Sequence, residues 1–372
     1  GNSPSFQQIL LGQGIGNTPI ANEPYGYNQQ WNLNLQREIG NGFLFEIAYA
    51  GAKGTHLPGN QQIDQLPDSL LAQGASLQDQ VPNPFFGLVA TGSLAARTVA
   101  RGQLLRPYPQ YNGVSIASLS NRNSSYHAMQ MKLEKRFSAG GSILATYTWA
   151  KLISDTDTLT GWLESSGPAG VQNNNNIRLE RSLASFDVPH RLVVSYVLDL
   201  PFGNGRRFMS GVNGTAGKLV SGWGINGVYT FQSGFPLRFG TATNLTNSFG
   251  GGSRPNVVSG CNQELPGSAQ ERLNQWFNTS CFAQPAAFTF GNESRVDPKL
   301  RAHGMNNWDF SLFKNTKITE SVGLQFRTEF FNLFNRVQFN FPGQALGNPQ
   351  FGVVSSQVNN PRLVQFALRL IY

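Results

Sequence analysis

The chain has 372 residues, of which 40% are hydrophobic and 12% aromatic, but only 13% are charged, about half the share usual in soluble globular proteins. Its 28 basic and 20 acidic residues leave a net charge of +8, yet the cations are scattered singly or in pairs, which excludes a nucleic-acid-binding stripe. No run of about 18 apolar residues occurs, so a transmembrane helix is excluded, and the abundance of aromatics argues against a disordered chain.

What remains is a composition of Asn, Gln, Ser and Thr with 41 glycines and 27 phenylalanines, suited to β-structure with one wet and one apolar face. The chain opens GNSPSFQQIL, with no initiator Met and no signal peptide, so a removed N-terminus or a fragment is expected.

Period-2 alternation runs through the chain and helical periodicity hardly appears. YNQQWNLNLQREI (27–39) sets Trp31, Leu33 and Leu35 against Asn32, Asn34 and Gln36. A turn at EIGNG leads to FLFEIAYA (43–50), with Phe43, Phe45, Ile47 and Tyr49 on one face. A polar stretch over about 52–124 follows, holding YNGVSIASL (111–119) as a doubtful extra strand. YHAMQMKLEKRF (126–137) alternates Met129, Met131 and Leu133 with Gln130, Lys132 and Glu134, and the turn SAGG feeds SILATYTWAK (142–151).

After another long loop, HRLVVSYVLDL (190–200) presents Leu192, Val194, Tyr196 and Leu198. A longer turn (201–220) has room for a helical piece, and its GNG lacks the βαβ setting of a phosphate cradle. GWGINGVYTFQSG (222–234) precedes a loop of about 60 residues that carries both cysteines. NNWDFSLFKN and SVGLQFRTEFF form a hairpin around NTKITE, and LVQFALRLIY (363–372) ends the chain.

Nine strands thus alternate between short turns and long loops, at about 52–124, 152–187, 241–303 and 334–361. That alternation predicts an all-β, antiparallel transmembrane β-barrel with short periplasmic turns and long extracellular loops. Such barrels have an even strand number and both termini inside. Nine or ten strands whose first runs downward from an outer loop at residues 1–22 are therefore expected to be part of a larger barrel. Residues 1–372 read as the C-terminal part of one outer-membrane barrel domain.

With aromatic and aliphatic faces against lipid, Asn32, Gln36, Lys132, Glu134, Asp309, Arg327, Glu329 and Arg369 face the interior. The energetic reason is that Arg or Lys on the lipid face at mid-membrane costs about 2–4 kcal/mol. Cys261 and Cys281 are expected to close a disulfide loop in an oxidising compartment. Enzymatic signals are poor. His56, His127, His190 and His303 lie far apart with no metal-ligand spacing, and no cofactor is implied. Asp187 and His190 in FDVPHR admit an acid–base pair at a barrel rim, beside the plainer reading of a loop ending at Pro189. NNNN (173–176) and the cysteine loop are ligand-contact candidates, beside a flexible surface covering; composition names no ligand.

YNQQWNLNLQREI, EIAYAGAKGTHLPG, NSSYHAMQMKLEKRFSAGGSILATYTWAK, SFDVPHRLVVSYVLDLPFGNGRRF, GWGINGVYTFQSGFPL and FFNLFNRVQFNFP together resemble the Oar-like TonB-dependent receptors, abundant in acidobacteria. The resemblance runs from about Tyr25 to Tyr372 and matches only the family's C-terminal barrel half. No residues match its carboxypeptidase-regulatory-like domain, TonB box or plug. It implies outer-membrane localisation, a barrel of about 22 strands, and uptake of a small-molecule or peptide ligand driven by the TonB energy complex. It also implies that Phe366, Leu368, Leu370 and the terminal Tyr372 form the signal read by the barrel-assembly machinery. A passive porin, a surface adhesin and a rim-site hydrolase are the competing readings.

Overall fold

The structure, a computed structural model, describes residues 10–16, 20, 22–138, 140–156 and 170–372. Nine long strands form one antiparallel meander: β1 (Tyr27–Gly40), β2 (Phe43–Gln62), β3 (Gly113–Arg136), β4 (Gly141–Ser154) and β5 (His190–Asp199), then β6 (Trp223–Gln232), β7 (Met305–Lys317), β8 (Gly323–Phe331) and β9 (Leu363–Ile371). Each long strand pairs with its neighbours in sequence order. The sheet is open: neither β1 nor β9 has a second long-strand partner among the described residues. Most of the residues expected to begin in an outer loop, 1–22, lie outside the described ones.

Local chemistry explains the short turns. Asn41 and Gly42 both have positive φ, 51° and 74°, as a two-residue type I′ hairpin between twisted strands requires. Between β5 and β6 the longer turn contains a helix, α1 (Gly214–Val220).

On the other side, the strands run further than their alternation suggests. β2 continues to Gln62 and β3 begins at Gly113, so the first outer loop spans 63–112 rather than 52–124. YNGVSIASL is not a separate strand; residues 113–119 are the outer end of β3, paired in part with Gly59, Gln61 and Gln62. Register shifts at residues 54–61, including His56 at φ 53°, break the period-2 signal there. The remaining outer loops span 155–189, 233–304 and 332–362.

The clusters of buried apolar side chains lie in these loops, not in the sheet. Leu237, Phe239, Trp276, Phe277, Phe282, Leu300 and Val354 bring together the third and fourth loops, with Cys261 and Cys281 bonded within the cluster. Two smaller clusters, around Leu66 and Leu71 and around Val89 and Leu94, order the first loop. A parallel bridge of Gly240–Thr241 with Ala345–Leu346 joins the third loop to the fourth. The described loop residues thus form a folded cap rather than a flexible covering. On the sheet, by contrast, large apolar side chains stay exposed, including Leu33 and Leu35 on β1 and Phe366 and Leu368 on β9.

The disulfide closes a loop of 20 residues, Cα to Cα 5.5 Å, inside this aromatic cluster. Cross-linking a loop of that length stabilises by about 3 kcal/mol through the unfolded state. Replacing both cysteines with serine is therefore expected to lower the cap's stability by that amount. Thermal unfolding followed by proteolysis within 233–304 measures it.

Candidate functional site

Ladder register places all eight residues read as interior on one face of the sheet. Gln36 pairs with Glu46 and Glu46 with Lys132, and the row continues through Thr146, Val193 and Thr230 to Asn307. Asp309 lies two residues from Asn307, while Ser311 pairs with Glu329 and Glu329 with Gln365. Gln325 opposite Arg369 fixes the face of the last strand. Within strands, the charges neutralise one another: Glu134 bonds Arg136 at 2.7 Å and lies 3.6 Å from Lys132, and Arg327 reaches Glu329 at 3.3 Å. Asp309 accepts from Asn307 Nδ2 at 3.0 Å and from the Asn332 backbone at 2.9 Å.

Glu134, Asp309 and Glu329 come together around one hollow of about 450 Å³, shared with Ser195, Asn226 and Ser311. Asn32, Gln36, Lys132, Arg327 and Arg369 stand outside it on β1, β3, β8 and β9. The face can therefore hold water and polar groups along its length, with a carboxylate-lined concavity at its centre.

Above that face, the outer loops are locked by a buried polar knot that the sequence reading missed. Glu180 is fully buried; its carboxylate pairs with Arg254 and accepts from the Gln172 backbone, and its carbonyl accepts from Arg295 Nε at 2.8 Å. Arg295 also donates to the carbonyl of Ser154 at the end of β4. Burial lowers the pKa of Arg254, and the adjoining Glu180 opposes that shift. In the first loop, Arg106 and Asp64 form a second buried pair at 2.7 Å. Burial raises the Asp64 pKa, opposed by the Tyr108 amide and Arg106. Arginines isolated within Asn/Gly/Ser/Pro-rich loops were the available signal, because a buried cation in a loop needs a partner.

The first half of NNNN is structural, while Asn175 and Asn176 stay exposed. Asn173 and Asn174 are buried; Asn173 Oδ1 accepts from Gln65 Nε2 at 2.6 Å and the Asn174 backbone donates to Gln65 Oε1 at 2.7 Å. Asn175 Nδ2 donates to the Leu66 carbonyl at 2.9 Å. The tract joins the first and second loops.

Asp187 and His190 take separate partners. Asp187 bonds Arg301 at 2.7 Å and accepts from the Leu152 amide, whereas His190 Nδ1 lies 2.8 Å from the Tyr147 hydroxyl. Among the described residues, no group of three or more His, Cys, Asp or Glu could hold a metal ion.

Glu293, buried in the third loop, is pushed up to about 7 by burial and then by Asp297, against hydrogen bonds from Ser294 and the charge of Arg254. Its Oε2 has no hydrogen-bond partner among the described residues, which suits a protonated carboxyl. A folded pKa raised above the unfolded one adds stability that is fully present below about 4.5 and is lost as pH rises through about 7. The cap is expected to lose about 3 kcal/mol across that window. Glu293→Gln should flatten the slope, as hydrogen exchange over 233–304 at pH 4.5 and 7.5 would measure.

A family model described as an outer membrane beta barrel domain matches residues 4–365. No curated protein matches the chain. Among solved structures, it is similar to the outer membrane transporter YddB from Escherichia coli, at 8% identity and TM-score 0.45, covering 96% of this chain and 34% of that one. It is also similar to the ferric citrate transporter FecA in its unliganded form, at 10% identity and TM-score 0.37, covering 92% and 31%. A third is the ferripyoverdine receptor of the Pseudomonas aeruginosa outer membrane, at 8% identity and TM-score 0.35, covering 93% and 27%. The chain spans about a third or less of the length of each.

Proposed function

Because the chain belongs to the outer membrane beta barrel domain family, a family of outer-membrane barrels and not of enzymes, we propose that it is the C-terminal barrel portion of an Oar-like, TonB-dependent receptor. The observation that carries this reading is the cap. Buried ion pairs and hydrogen bonds tie the outer loops to one another over the polar face, which suits capture of a ligand better than free diffusion. The ordered set of sequence motifs supports the Oar-like assignment.

The two open sheet edges extend the proposal. Unpaired backbone groups in hydrocarbon each cost several kcal/mol, so β1 and β9 need strand partners. Further strands of the same receptor supply them in this reading, with its plug and TonB contact also outside residues 1–372. The alternating strand β9 and Tyr372 serve as the assembly signal. Deleting Tyr372 from the full-length protein is expected to lower its outer-membrane level, and an unchanged level in membrane fractions would remove that role.

The intact full-length protein in a planar lipid bilayer is expected to show no steady open conductance until its plug is removed. A steady ohmic channel from the intact protein would replace this reading with the passive porin. An adhesin is the outcome if energy-coupled uptake is absent and the plug does not gate the lumen.

A further inference from the structure

The outward face of the sheet carries a boundary that differs at its two ends. Strands climb about 3.3 Å per residue and tilt about 40°, so ten residues rise roughly 25 Å, the height of a barrel's apolar band. At the turn side of that band the cations are occupied. Lys135 lies 4.1 Å from the Phe43 ring and donates to the Asn41 carbonyl. Lys314 lies 5.1 Å from the Trp223 ring and donates to the carbonyls of Lys218, at 2.8 Å, and Ser221.

Ten residues above Phe43 and Gly141 stand Lys53 on β2 and Lys151 on β4, with His127 on β3 between them. His127 pairs directly with Lys151 and with Gly51, and Lys53 pairs with Ser125 one row above. Neither lysine has an ion pair, hydrogen bond or ring contact among the described residues. No Asp or Glu shares this face on β1 to β5 at that height.

The surroundings are built rather than accidental. Gly51 has no Cβ because the Trp31 indole occupies its place, 2.3 Å from where one would sit. Tyr49 Oη lies 2.7 Å from His127 Nδ1, with the rings stacked, and Trp31 meets the same imidazole edge-on at 6.4 Å. In the tautomer whose Nδ1 accepts from the Tyr49 hydroxyl, His127 keeps Nε2–H as a donor. A hollow of about 480 Å³ is lined by Tyr49, His127, Met129, Trp149 and Lys151 and ends at the Asp187–Arg301 pair.

We infer that Lys53, His127 and Lys151, beside the ring of Trp31 and above those of Tyr49 and Trp149, form a binding site for the phosphate of an outer-leaflet glycolipid. The aromatic rings hold the upper acyl chains and the sugar edge. The two ammonium groups and the imidazole N–H hold the phosphate, and Asp187, the acid that lines the hollow, is already neutralised by Arg301. Height selects the occupant: the cations stand where the apolar band ends on the loop side, within reach of lipid headgroups.

The test uses the full-length protein in mild detergent and native mass spectrometry, with a bisphosphorylated glycolipid and its dephosphorylated form as probes. The phosphorylated lipid is expected to remain bound and the dephosphorylated one to dissociate. Lys53→Gln with Lys151→Gln should weaken retention roughly thirty-fold, while Lys135→Gln leaves it unchanged. Equal retention of both lipids, or unaltered retention by the double variant, would overturn the site. Displacement by millimolar inorganic phosphate would also overturn it, since the site would then be one for a free anion. Conductance of the reconstituted protein is independent of these outcomes, so failure here leaves the receptor reading in place.

Discussion

Replacing Glu180 with Ala is expected to cost the cap about 3–5 kcal/mol, the usual penalty for removing one partner of a buried ion pair. The Arg254 side chain is 5% exposed and that of Glu180 is fully buried, so the cation left behind has no access to water. The same substitution deletes the acceptor of the Gln172 amide. Arg295 still finds the residue-180 carbonyl but loses the neighbouring negative charge. Glu180→Gln keeps a hydrogen-bonding shape without the charge and should cost less. Proteolysis of loops 170–189 and 233–304 on the full-length protein reads the loss. An Ala variant as resistant as the parent would show that the knot does not hold the loops together.

A second large effect should separate adjacent residues on β2. Ile47 stands between Leu35 and Met131 on the apolar face, and Ala48 between Asn34 and Gln130 on the polar face. Arginine at position 47, four residues above the turn, would sit within the hydrocarbon and cost about 2–4 kcal/mol. Arginine at 48 would join Glu46 and Glu134 on a hydrated face and should leave stability near that of the parent. Denaturant unfolding of the full-length protein in lipid compares the two. The reverse order would turn the barrel inside out, and with it the placement of Lys132, Asp309, Arg327 and Arg369.

The strands were legible because each obeys one rule, an apolar residue followed by a polar one, and the rule acts locally. Trp31–Leu35 and Met129–Leu133 announce their faces without any neighbour. The rule fails where both sides of a strand meet protein or water. LPGNQQ at the end of β2 does not alternate, and a register shift at His56 disguises its continuation. The cap was illegible for a different reason. Gln65 meets Asn173 across 108 residues, and Arg295 meets Glu180 across 115, so no local pattern marks either contact. An asparagine run reads as display until its acceptors are known. Likewise, Asp187 and His190 look paired in FDVPHR, yet Arg301 and Tyr147 claim them separately.

The meander also sets an order of events. Long-strand pairings join consecutive strands, and hairpins such as β1–β2 and β7–β8 close over a few residues at little entropic cost. Contacts that tie the cap's loops together, such as Gln65–Asn173 and Arg295–Glu180, span more than 100 residues and need those strands already in place, since Arg295 anchors on the Ser154 carbonyl. Pairings of low sequence separation form early and distant ones late. The sheet should therefore zip hairpin by hairpin, with the loops collapsing onto it last, leaving a capless barrel as the species that accumulates during refolding.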